Sequence, residues 1–292
     1  MKSGVERALS PLLGLLLFLQ AGILVTGGIV RLSNSGLGCP TWPRCTDDSL
    51  TPVANQPEGQ LHSWIEFGNR LIAVALIVIA LASLILILVL KRKDIRALAI
   101  GQLAGVLAQI PLGGITVLTH LNPFSVASHF ILSIILIAAA TSLFDRRKLN
   151  GARILIENSR IKSLIRWLVT LTVAVIILGT GVTGAGPHAG DYSAPRFNIN
   201  IHLITWIHAI LVIALLLVTL YLFALSRIDS RLGKRITTFI GIILLQGIIG
   251  IVQYAQGLPE LLVGSHLVGV TLVWIGAWRI NLLTIHSPKS ND

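Results

Sequence analysis

Long apolar stretches alternate with short polar ones along this chain of 292 residues. Leu71 to Leu90 carries no charged side chain, and a run of that length crosses the hydrocarbon core of a bilayer as one helix. The pattern predicts eight such spans, at roughly 10–31, 62–90, 96–118, 124–144, 164–184, 200–225, 236–255 and 261–281. The expected fold is an all-α membrane protein, its eight transmembrane helices arranged as two pseudo-symmetric four-helix bundles.

The division into halves comes from a repeat. Gln109 to His129 and Gln246 to His266 each open on Gln and have Gly four residues later (Gly113, Gly250). Each has Pro past the middle (Pro123, Pro259) and closes on Ser-His (Ser128-His129, Ser265-His266). A gap-free repeat with His at a fixed depth points to duplicated halves, each built around a buried ligand. A lone His there would more often hydrogen-bond a carbonyl, but the recurrence favours a ligand. On this reading residues 1–148 form an N-terminal bundle, 149–163 a cytoplasmic linker and 164–292 a C-terminal bundle.

Composition agrees with a membrane location. At 54% hydrophobic and 12% charged, the chain is too apolar for a soluble domain of its size. A net charge of +11 raises nucleic acid as a partner, but nineteen of the 23 Lys and Arg lie in loops or termini on one side. They include Lys91, Arg92 and Lys93 after span two, Arg146 and Arg147 after span four, and Arg231, Lys234 and Arg235 after span six. The positive-inside rule turns that asymmetry into topology: these loops and both termini face the cytoplasm, and no nucleic-acid role is implied. Met1 to Ser10 is too short, and joins too long an apolar run, to read as a cleaved signal.

The candidate chemistry clusters near the outer ends of the spans. Cys39 and Cys45, the only two Cys, share the first outer loop with Pro40 and Pro43. On the oxidising side they favour a disulfide over free thiols, and both a structural staple and thiol exchange stay open as its role. In span two, His62, Glu66 and Asn69 fall on one helical face. Glu66 lies about one turn into the membrane, where a carboxylate is either paired or functional. An i, i+4 pair with Arg70 and a proton-transfer role are both open. Superposing span six on span two sets Ile204 on Ile65, Thr205 on Glu66 and His208 on Asn69. His129, His266, Asn69 and His208 then share one layer, roughly 7–10 Å below the outer face. Two His from facing helices of a bundle are the arrangement that clamps a heme iron from both sides. Zinc is less suitable, because Cys or carboxylate partners are missing from the second half.

The motifs resemble those of the heme A synthase family over nearly the whole chain. They are Thr26-Gly27, Ser35-Gly36-Leu37 with Cys39-Pro40, Trp42-Pro43 and Cys45, Ile65-Glu66, Arg70, Asn122-Pro123 and His129. In the second half they are Thr183-Gly184, Gly186 through Asp191, His208 and His266.

The resemblance implies two similar four-helix bundles. The second half would hold a b-type heme between His208 and His266. The first half would bind heme O and oxidise one ring methyl to a formyl group, giving heme A for terminal oxidases. Glu66 would be a catalytic residue, and the Cys pair is disulfide-bonded in members that have it. Many members carry His where this chain has Asn69, and Asn is a poor iron ligand. The substrate iron is therefore expected to be held by His129 alone, or with another residue such as His62 as second ligand. Arg70, Arg31 and Arg196 are candidates to meet heme propionates. The expected partners are heme O and heme A, membrane lipid, an unidentified electron donor, heme O synthase and the machinery of terminal oxidase assembly. The expected location is a prokaryotic plasma membrane. Two other classes compete: a two-heme membrane cytochrome acting only in electron transfer, and a secondary transporter, whose polar layer would sit at the midplane instead.

Overall fold

A computed structural model describes residues 2–147, 156, 158–226 and 230–284. Lys148, Arg153, Arg227, Lys289 and residues 149–155 of the expected linker lie outside the described residues. The described residues form eight α-helices: α1 (Lys2–Leu32), α2 (Gln60–Val89), α3 (Lys93–Leu118), α4 (Pro123–Asp145), α5 (Ser159–Ala185), α6 (Ile201–Ala224), α7 (Arg231–Ala255) and α8 (Glu260–Asn281). All eight have a segment long and apolar enough to cross a membrane, so the chain is a multi-pass membrane protein. No strand occurs among the described residues.

The helices outrun the apolar pattern mainly at their basic ends. α5 begins at Ser159 and α7 at Arg231, so their first turns are polar. Capping explains where these helices start. The Asn158 side chain accepts from the backbone N–H of Arg160 and Ile161, and that of Ser230 from the N–H of Gly233. Asn122 and Asn200 cap α4 and α6 in the same way. Each cap satisfies N–H groups that the first turn leaves without an intrahelical partner.

The first four helices pack in a ring, each against its sequence neighbour, with α1 closing on α4; α5 to α8 repeat the arrangement. α2 therefore lies diagonally across from α4, and α6 from α8, with no Cα pair within 8 Å across either diagonal. The two rings meet along α4 and α8, with α1 and α5 flanking. There Trp274 Nε1 donates to the Ile134 carbonyl and Trp278 Nε1 to Ser142 Oγ, both at 2.7 Å. Both ends of the seam are also tied. At the basic face Arg235 pairs with Asp145 at 2.8 Å. At the opposite face, which carries the Cys loop, Gly36 N–H donates to the Gly190 carbonyl at 2.8 Å.

The repeat is visible in the backbone. His120 and Leu121 after α3, and Gly257 and Leu258 after α7, all take positive φ. Leu121 N–H bonds the Thr116 carbonyl as Leu258 N–H bonds that of Gln253. The Pro residues are one step out of register: Pro123 is the first residue of α4, whereas Pro259 is the cap of α8.

Candidate functional site

Each bundle has its fully buried core at the basic end and few fully buried residues towards the disulfide face. In the first half the closed core is built from Leu9, Leu13, Leu16, Leu76, Val106 and Leu136 with their neighbours. Beyond them, α2 buries nothing between Glu66 and Leu76, and α4 nothing before Ser133. In the second half α6 buries nothing before Leu215, and α8 nothing before Gly269. A helix of a filled bundle buries a residue about every turn. Between two and about four turns without one, on diagonally opposed helices, is what a bundle shaped around a large ligand would show. Asn69, His129, His208 and His266 all lie in these stretches.

The rings are seated against glycines of the preceding helix. A Cβ on Gly113 would lie 3.3 Å from His129 Cε1, one on Gly250 3.4 Å from His266 Cε1, and one on Gly179 3.1 Å from His208 Cε1. Gly27 faces Asn69 in the same way, at 3.8 Å. The Gly113 and Gly250 seats are legible in the repeat. The Gly179 seat is not: the Thr-Gly pair of α1, Thr26-Gly27, recurs in the second half as Thr183-Gly184, but Gly184 packs on Phe197 instead.

The donor atoms suit a metal-centred ligand. His208 Nδ1 lies 3.0 Å from the Val175 carbonyl. A carbonyl only accepts, so Nδ1 carries the proton and Nε2 keeps its lone pair for a metal. Nδ1 of His266 and of His129 likewise lies on the glycine side of its ring, 3.8 and 3.9 Å from a Cβ on Gly250 and Gly113, which leaves Nε2 as the nitrogen available to a ligand. The glycine seats and the imidazole pair on α6 and α8 are donors of the kind an iron macrocycle would take.

The first half differs at Asn69. Thr26 Oγ1 donates to Asn69 Oδ1 at 2.7 Å, so the amide oxygen is held by α1 and Nδ2 is the free end. His62 is not brought to this layer. Its Nδ1 is hydrogen-bonded to Ser35 Oγ at 2.9 Å, and the side chain lines a polar cavity of about 240 Å³ with Asn34, Glu58, Asp191 and Ser193.

Glu66 is 7% exposed and held at both oxygens. Oε1 pairs with Arg70 Nη2 at 2.6 Å, and Oε2 accepts from the backbone N–H of Cys39 at 2.7 Å. Cys39 and Cys45 are disulfide-bonded. Arg70 also donates to the carbonyls of Cys39, Thr41, Pro43 and Arg44. It thus clamps the disulfide loop to α2. Trp42, carried by that loop, lies on α3 so closely that a Cβ on Gly114 would sit 2.6 Å from its ring. Arg31 donates to the carbonyls of His188 and Thr183, and Arg196 to those of Pro187 and Ala194. These two hold the loop after α5, and His188 Nε2 in turn meets the Leu258 carbonyl at 2.8 Å.

Residues 11–195 match the COX15-CtaA family, described as cytochrome oxidase assembly protein. The chain belongs to this family. Among proteins named heme A synthase, one from Shewanella oneidensis is 26% identical over 320 residues, covering 92% of this chain and 94% of its own length. Those of Geobacillus kaustophilus and Geobacillus thermodenitrificans are 34% and 35% identical over 111 and 114 residues. These two alignments span about a third of each relative's length, 32% and 34%. Family membership thus rests on the first half and the start of the second, while the Shewanella alignment extends over both.

Proposed function

We propose that this COX15-CtaA member is a heme A synthase, an oxidoreductase that converts a ring methyl of heme O to a formyl group. The observation that supports the reading is the paired arrangement: His208 and His266 lie on diagonally opposed helices of one ring, and His129 and Asn69 on those of the other. The second half holds a resident b-type heme through His208 and His266, which supplies single-electron transfer when bound. His208 is oriented by the Val175 carbonyl, and Gly179 and Gly250 let both rings approach.

The first half is the substrate site. His129 is the axial ligand to the heme O iron. Asn69, with its oxygen turned to Thr26, leaves the opposite face without a strong ligand. Glu66, about one turn outward from Asn69, accepts or releases protons as the methyl carbon loses hydrogen. Arg70 keeps Glu66 and the disulfide loop in place. The Cys loop lies on the non-cytoplasmic face of a prokaryotic plasma membrane, and both termini lie in the cytoplasm. Heme O synthase and the terminal oxidase assembly machinery are the partners on either side of this reaction.

The competing reading is a two-heme cytochrome that only passes electrons. Supplying heme O to the purified protein with a reductant and oxygen separates the two. The synthase yields heme A, detected by mass and by its formyl-shifted absorption. A protein that binds both hemes and returns heme O unchanged is the cytochrome.

A further inference from the structure

The duplication supplies an internal control on the second half. Counted from Gln109 and Gln246, Tyr254 of α7 stands where α3 has Val117, and Ile251 where α3 has Gly114. Counted from Asn69 and His208, His202 of α6 stands where α2 has Ser63. In the first half this seam is closed: Trp42 covers Gly114, and Ser63 and Val117 are 0% and 8% exposed. In the second half Ile251 is 72% exposed, and His202, Leu203, Trp206 and Tyr254 are exposed with it. His202 Nδ1 is hydrogen-bonded to Tyr254 Oη at 3.0 Å. A polar pair thus replaces a small and an apolar residue in the half that carries two imidazoles, at the membrane edge of an uncovered seam.

We propose that the α6–α7 seam binds the headgroup of a membrane-soluble hydroquinone, the electron donor to the heme held by His208 and His266. The proposal rests on the heme reading above. A hydroquinone offers phenolic O–H groups and, once oxidised, carbonyl oxygens. The imidazole of His202 accepts from the first, and the hydroxyl of Tyr254 bonds either form. Leu203, Trp206 and Ile251 form the apolar surroundings in which a lipid tail stays in the membrane. His202 precedes His208 by six residues, about 9 Å along the helix. In the step, both phenolic O–H bonds break and the ring becomes the quinone. The heme that His208 and His266 would hold takes one electron at a time, so one hydroquinone would reduce two ferric equivalents. One proton goes to His202, and the other passes over Tyr254 to water at the disulfide face.

The test uses full-length, heme-loaded protein in detergent, with tetramethylhydroquinone as donor, and the variants His202→Ala and Tyr254→Phe. Reduction of the b-type heme, followed optically, is expected to slow at least tenfold in each variant. Dithionite should reduce them with the wild-type spectrum. Equilibrium dialysis of the oxidised quinone should show binding weakened by a similar factor. Wild-type rates and binding in both variants overturn the proposal. So does a wild-type heme reduced by a small water-soluble donor but not by the hydroquinone. A preparation without any b-type spectrum overturns the heme reading instead, and the dialysis still decides whether the quinone occupies this seam.

Discussion

The backbone N–H of Cys39 donates to Glu66 Oε2 at 2.7 Å, so the disulfide loop and the buried carboxylate of α2 are one structural unit. Arg70 closes it by bonding both Glu66 Oε1 and the Cys39 carbonyl. Glu66→Gln keeps an oxygen for Cys39 but sets an amide group against the Arg70 guanidinium. Heme A formation should fall by about a hundredfold or more, the usual scale for a lost proton-transfer group. Arg70→Gln is the control, because it loosens the same loop and leaves the carboxylate. Equal loss of heme A formation in the two variants assigns Glu66 to holding the loop, not to moving protons.

His208 and His266 should be jointly required for a low-spin b-type heme. Alanine at either position removes one axial ligand, and the optical and electron paramagnetic resonance spectra should turn high-spin or disappear. The same change at His129 should leave that spectrum intact and abolish the spectrum of added heme O.

Asn69→His should convert added heme O from a one-imidazole to a two-imidazole spectrum. Thr26→Val frees the Asn69 amide to turn but supplies no ligand, so it should leave the iron spectrum high-spin. A low-spin substrate heme in the unaltered protein would show that Asn69 does not leave that face open.

Gly179→Ala places a methyl group 3.1 Å from the His208 ring, tighter than the 3.4 Å at Gly250. Overpacking at such a contact typically costs ~1–3 kcal/mol. Heme content after purification should therefore drop more for Gly179→Ala than for Gly250→Ala. Gly247→Ala, with nothing within 4 Å of the added carbon, should retain the wild-type content.

Cys39 and Cys45 are disulfide-bonded and fully buried, so alkylation of the unfolded protein should label them only after reduction. A periplasmic reporter fused after Asp292 should stay inactive, because both termini are expected in the cytoplasm.

Much of this protein is local and was legible in the sequence. Apolar run length dictates the spans, since a helix satisfies its own backbone inside lipid. The Gln-to-His repeat fixed His129 and His266 at one depth, and the Gly113 and Gly250 seats came with it. The spacing of Glu66 and Arg70 already allowed their ion pair, and two Cys in one outer loop pointed to the disulfide. What the sequence withheld depends on which side of each helix faces its neighbours. Lipid is as apolar as a protein core, so the spans carry little periodicity to separate an inward face from an outward one. Only the packed structure shows the diagonal placement of α2 against α4 and α6 against α8. It alone shows Gly179 under His208 and Thr26 holding Asn69. The exposed His202–Tyr254 pair was equally hidden. Nothing in the linear order says that Trp42 covers one half's seam while the corresponding seam of the other half stays open.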